Sequence, residues 1–245
     1  MRILVLDSAL AHRLAAVVEF DLVLAVRSEA AAQGHQTGHQ TGHQTGHQTG
    51  HQTGGHEAVL PVMARAVLEE AGGAIDLIGV TVGPGSFTGI RSGLALAHGI
   101  GLGRGVPVIG VTTGEAFANA FPHLGSRELW TVSPARRGYF FQERAGIATS
   151  MAYDALTVPA YRVAIAGPAA NEIAARLAAR GADVLLTDAR APQARHIAHV
   201  AFQRATGALP PIPAQPIYVD APDARLPAGG LRPPPVPGSG GAAGA

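Results

Sequence analysis

The chain has 245 residues, 47% of them hydrophobic, and a formal net charge of +1. That is enough apolar material for one large core or two smaller ones, and too balanced a charge to argue for nucleic acid on electrostatics alone. All 18 basic residues are Arg and there is no Cys, which excludes a P-loop Lys, a Schiff-base Lys, thiolate catalysis, disulfides and Cys-ligated zinc.

The elements, in chain order, begin with a buried strand at Arg2 to Asp7. Its apolar part is too short for a signal peptide, and no run reaches the ~18 apolar residues of a membrane span, so a cytoplasmic protein without membrane contact is expected. Leu14 to Val18 and Leu22 to Arg27 read as a hairpin around Glu19-Phe20-Asp21. His35 to Gly54 is five tandem copies of His-Gln-Thr-Gly. A Gly in every unit costs a helix ~1 kcal/mol each, and nothing apolar offsets it, so the array reads as a flexible insertion with no metal site expected in it. A helix is predicted from Glu57 to Ala71, with Pro61 in its first turn and Gly72-Gly73 after it. Its Leu60, Met63, Val67 and Ala71 form one apolar stripe.

Ile75 to Val82 is the next strand, followed by the turn Gly83-Pro84-Gly85-Ser86-Phe87-Thr88-Gly89 and a helix from Thr88 to Gly103. A strand follows at Val106 to Val111. Thr112 and Glu115 then have capping-box spacing for a short helix to Ala120. Trp130 to Val132 and Tyr139 to Gln142 read as a hairpin around Pro134-Ala135-Arg136-Arg137-Gly138. Arg162 to Ala166, Pro168 to Arg180, Asp183 to Thr187 and Pro192 to Ala205 alternate strand and helix, and the Pro/Gly-rich tail from residue 222 reads as disordered. The class is α/β.

Two features carry chemistry or contact. The glycine turn, with Asp7 at the end of the first strand, has two readings. Gly83, Gly85 and Ser86 either cradle a phosphate at a helix start or only make a tight turn with Ser86 or Thr88 as N-cap. It is neither a Walker A loop, which needs Lys, nor a nucleophile elbow. Along the helix that follows, Gly89, Gly93, Ala97 and Gly101 present small residues every four positions. Such a face permits close approach either of this chain's own elements or of a second subunit.

These segments resemble the TsaB (YeaZ) family. The resemblance is carried by Leu60-Pro61, Gly83-Pro84-Gly85-Ser86-Phe87-Thr88-Gly89-Ile90-Arg91-Ser92-Gly93, Val106-Pro107 with Val108-Ile109-Gly110-Val111, Ala135-Arg136-Arg137-Gly138 and Pro216-Ile217-Tyr218-Val219. His56 matches the family's His before the first long helix. The resemblance implies an actin-like (ASKHA, Hsp70-like ATPase) fold of two lobes with mixed sheets flanked by helices. The lobes are expected at residues 1–107, interrupted by the insertion at 35–54, and 108–221, ahead of a tail at 222–245.

The resemblance also implies a scaffold subunit without catalytic residues. Its partners would be a TsaD-type transferase and a TsaE-type ATPase that together add threonylcarbamoyl to the adenosine beside the anticodon of ANN-reading tRNA. Transfer RNA would be met through the complex, and homodimers would form without TsaD. Leu60, Met63, Val67, Ala71, Gly89, Gly93, Ala97 and Gly101 would face the partner. No resident cofactor is expected. Asp7, Gly83, Gly85 and Ser86 would be at most a vestigial phosphate site, with weak ATP or ADP binding confined to a subunit interface.

The chain departs from the family at Asp7-Ser8-Ala9-Leu10, where the family has Asp-Thr-Ser-Thr, and at Ser133-Pro134, where it has Asp before Ala-Arg-Arg-Gly. The first removes hydroxyls from the presumed phosphate corner, and both argue against independent nucleotide chemistry while leaving a scaffold role untouched. The competing readings are an actin-like phosphotransferase or ATPase built on Asp7, a peptidase-like homologue, and a His-rich metal buffer.

Overall fold

A computed structural model of the chain describes residues 1–30 and 59–219. The His-Gln-Thr-Gly array, His56 and the Pro/Gly-rich tail lie outside the described residues. In the first sheet are β1 (Arg2–Asp7), β2 (His12–Glu19), β3 (Leu22–Ala30), β4 (Leu77–Gly83) and β5 (Val108–Thr112), in the order β3-β2-β1-β4-β5. β1 runs antiparallel to β2 and parallel to β4, which is parallel to β5.

Every residue of β4 is buried, as a central strand covered on both faces requires. Side chains alternate across β1. Leu4 and Leu6 join Val67, Ile78, Val80 and Leu94 beneath α1 (Val59–Glu70) and α2 (Phe87–Arg104). Ile3 and Val5 join Leu77, Val111, Ile197 and Ala201 beneath α5 (Ala194–Ala205) on the opposite face.

The second sheet contains β6 (Glu128–Pro134), β7 (Tyr139–Arg144), β8 (Ile147–Ala152), β9 (Val163–Ala166) and β10 (Val184–Leu186), in the order β10-β9-β6-β7-β8. α4 (Ala170–Ala178) covers one face through Ile173 and Leu177 against Trp130, Val132, Phe140 and Ile165. α3 (Thr113–Ala120) sits between the two sheets, where its Phe117 meets Leu10 of the first lobe and Ala166 of the second. The capping box at its start is complete, with Thr112 and Glu115 each bonding the other's backbone.

Two mixed sheets flanked by helices make a two-lobed fold. The division between lobes differs from the expected one at residue 107. β5 pairs with β4 and so belongs to the first sheet through Thr112. α5 also returns from the second lobe to pack on the first, because its apolar face fills the otherwise bare side of β1 and β4. β8 was not anticipated. Among the described residues no helix is long and apolar enough to cross a membrane.

Candidate functional site

The residues expected to hold a phosphate lie at the ends of β1 and β4, where Asp7 and Ser86 bind other groups of the chain. Asp7 is fully buried. Its Oδ1 accepts from Ala9 N at 2.9 Å and from Thr81 Oγ1 at 2.6 Å. Its Oδ2 lies 3.5 Å from His12 Nε2 and is buried with no hydrogen-bond partner among the described residues. Asp7 is thereby the fastener of the β1–β2 turn.

The glycine turn closes on the same segment. Ser86 N donates to Ala9 O at 2.6 Å, and Ser8 Oγ donates to Gly89 O at 2.7 Å. A Cβ on Gly85 would overlap the Ala9 carbonyl oxygen, and one on Gly89 would overlap that of Ser8. These glycines therefore let two backbones touch. Ser86 is the N-cap of α2, its Oγ accepting from Gly89 N at 3.2 Å, and Ile90 N donates to Ser86 O. Of the two readings of the turn, the geometry favours the capped tight turn: the Ser86, Gly89 and Ile90 amides are used within the chain. Leu10, one of the departures from the family pattern, is buried against Phe117, which puts hydrocarbon between the sheets beside this corner.

The stripe on α1 and the small-residue face of α2 require correction. Leu60, Met63 and Val67 are buried in the first lobe's own core, with Ala71 packed at its edge. On α2, Ala97, Gly93 and Gly101 are buried. A Cβ on Gly93 would lie 2.6 Å from Ser8 Oγ, and one on Gly101 2.6 Å from Val108 Cγ2. Both patterns are amphipathic faces turned onto this chain's own sheet, since the strongest apolar or small stripe of a helix is the one its own domain buries.

What the two helices leave outward is a groove between them. Ala64 and Leu68 of α1 and Leu96, Ile100 and Gly103 of α2 line it, with Arg65, Glu69 and Arg104 along its rim. At the start of α2, exposed Phe87 carries the Arg91 guanidinium 3.6 Å from its ring centroid. Arg91 Nε and Nη2 also donate to Tyr218 Oη at 3.0 and 2.8 Å. At the β6–β7 tip Arg136 stacks over Tyr139, with its guanidinium carbon 3.9 Å from the ring centroid.

Two buried charged residues escaped the sequence reading. Glu143 of β7 accepts from Thr112 Oγ1 at 2.5 Å and from Gly114 N at 2.8 Å. Burial, opposed by those two hydrogen bonds and reinforced by Glu115, pushes its carboxyl up to about 7. Arg204 of α5 donates to Glu115 Oε1 at 2.5 Å and to Gly110 O at 2.8 Å. The available signal was Gln142-Glu143, two successive polar residues in a strand whose faces alternate, so that one of them turns toward each side.

Comparison with known proteins gives sequence and fold matches of different extent. The family model TsaD, tRNA N6-adenosine threonylcarbamoyltransferase, matches residues 51–140. A tRNA N6-adenosine threonylcarbamoyltransferase of Cereibacter sphaeroides is 40% identical over 80 residues, 28% of this chain and 22% of that protein. The tRNA threonylcarbamoyladenosine biosynthesis protein TsaB of Escherichia coli K12 is 35% identical over 86 residues, 34% of this chain and 37% of that protein. The matched stretch thus spans well under half of either relative.

The structure of YeaZ from Pseudomonas aeruginosa superposes with a TM-score of 0.65 at 21% identity, over 89% of this chain and 99% of that one. A second Pseudomonas aeruginosa structure, of an uncharacterized protein with similarity to peptidase YeaZ, gives 0.65 at 20% identity over the same shares. The chain thus has the fold of YeaZ over most of its length and is similar in sequence to TsaB and to TsaD proteins over part of it.

Proposed function

We propose that this chain is a non-catalytic subunit in the synthesis of threonylcarbamoyladenosine in tRNA, docking on a TsaD-type transferase and activating it. The observation that carries the reading is the closed corner. Where an actin-like enzyme would receive phosphate, Ser86 N is bound to Ala9 O and Asp7 is buried against Thr81 and His12. In this reading the chain contributes surface rather than chemistry. The docking surface in this reading is the α1–α2 groove, whose apolar floor and charged rim suit a pair of helices from the partner. Docking through the outward groove takes the place of docking through the inward stripe. When the chain is alone, two copies would pair by the same face.

A TsaE-type ATPase completes the assembly in this reading, and tRNA is bound by the complex as a whole. The test is reconstitution with TsaD, TsaE, ATP and threonylcarbamoyl-adenylate, with and without the chain. Modified tRNA should form only when the chain is present, and the chain alone should hydrolyse no ATP. Equal modification without it, with no complex on a sizing column, would overturn the proposal.

A further inference from the structure

Glu143 belongs to the second sheet, yet both of its carboxylate oxygens are bound by the segment that leaves the first. Thr112 Oγ1 donates to one and Gly114 N to the other. Gly114 is what permits the approach, because a Cβ there would overlap the carboxyl group. Thr112 is also the N-cap of α3, its Oγ1 accepting from Glu115 N at 3.0 Å. α3 is the element between the sheets, following β5 of one and preceding β6 of the other. A group that grips its first turn therefore acts on the relation between the lobes.

The charge around this grip is one-sided. The charged side chain facing Glu143 is Glu115 on α3, itself held by Arg204 from α5. The residues beside Glu143 in register, Thr131 on β6 and Ala148 on β8, carry no charge. Both hydrogen bonds favour the ionised form; the neutral acid keeps Gly114 N on its carbonyl oxygen and turns its own O–H to Thr112 Oγ1, and burial beside Glu115 outweighs the two bonds. The ionised form stands buried beside a second carboxylate, which agrees with a carboxyl raised to about 7.

We propose that Glu143 is a proton-controlled latch between the lobes, closed on the first turn of α3 when neutral and loosened when ionised. The latch is independent of the docking role proposed above. An opening that exposes Glu143 to water releases its proton. The opening constant then rises by up to tenfold per pH unit from about 4.5 to about 7, roughly 300-fold in all, and levels off above that.

Amide hydrogen exchange of the full chain between pH 5 and pH 8.5, corrected for intrinsic rates, reads this opening. Gly114 and Glu115 amides should be less protected than those of Val5 and Leu6 at every pH, and their protection should fall with that slope before flattening. In Glu143→Gln the slope should vanish. Protection at Gly114 that ignores pH, or that equals that of Val5 and Leu6 throughout, would overturn the latch. An unchanged slope in Glu143→Gln would do the same. The wild-type comparison of Gly114 with Val5 decides the matter even if the variant folds poorly.

Discussion

The carboxyl of Glu143 gives the folded chain a pH dependence that can be worked out from its two environments. Folded, it is held near 7; unfolded, it returns to about 4.5. A group raised on folding contributes most below its unfolded value, and the contribution is lost as pH rises through the folded one. Urea unfolding should therefore show stability falling between about pH 4.5 and 7, by on the order of 3 kcal/mol, and then levelling. Glu143→Gln should lack that component and lie above the wild type at pH 8. Gly85 sets a second expectation at this scale. An added methyl meets the Ala9 carbonyl, which is backbone and cannot swing aside. Gly85→Ala should cost roughly 1–3 kcal/mol in the same measurement, whereas a phosphate cradle open to solvent would tolerate it.

Helices α1 and α2 separate what periodicity can and cannot tell. Their lengths and stripes were legible, and so was the capping box at Thr112, because each depends on spacing along one segment. Whether a stripe faces this chain's own sheet or another subunit was not legible. A run of Gly and Ala looks the same whether it meets this chain's Ser8 and Val108 or another subunit. Only the tertiary position of β1 and β5 decides that. Strand β8 was missed for a related reason: Ile147 to Ala152 mixes small and polar residues, and its pairing with β7 is what makes it a strand. Glu143 lies just past the strand read at Tyr139 to Gln142, and its role depends on Gly114, which only the fold brings beside it.

The buried face of α2 and the open groove beside it respond differently to added bulk. Gly93 enlarged to a bulky residue strikes Ser8 and would weaken the fold itself, so it is a poor interface probe. Gly103 lines the groove, and a Cβ there meets nothing within 4 Å. Gly103→Trp should leave stability unchanged or raise it by about 0.5–1 kcal/mol through helix propensity. It should also abolish co-elution with a TsaD-type partner on a sizing column. Normal co-elution would remove the groove from the docking model.

Across the whole molecule, the chain leaves the first lobe through α3 and comes back to it through α5. One ion pair ties the departure to the return. The Arg204 side chain is 3% exposed and the Glu115 side chain 26%. Arg204 Nη2 donates to Glu115 Oε1, while Nε donates to Pro210 O at 2.7 Å and Nη1 to Gly110 O. Glu115 Oε2 meanwhile accepts from Thr112 N at 2.9 Å, closing the capping box that also presents Thr112 to Glu143. Removing one partner of such a pair leaves a poorly solvated charge and unpaired carbonyls, a loss of roughly 3–5 kcal/mol. Arg204→Met is therefore expected to lower the urea midpoint strongly. Glu115→Gln can still accept from Thr112 N, so in the Arg204→Met background it removes the stranded charge while preserving the cap. The double variant should then be less destabilised than the two single losses added together, which a double-mutant cycle measures directly. Strict additivity would mean that α5 is held on the first lobe by the apolar contacts of Ile197 and Ala201 with β1 and β4, and that the ion pair only accompanies them. A coupled loss makes the Arg204–Glu115 pair the point at which lobe crossing and chain return are fixed together.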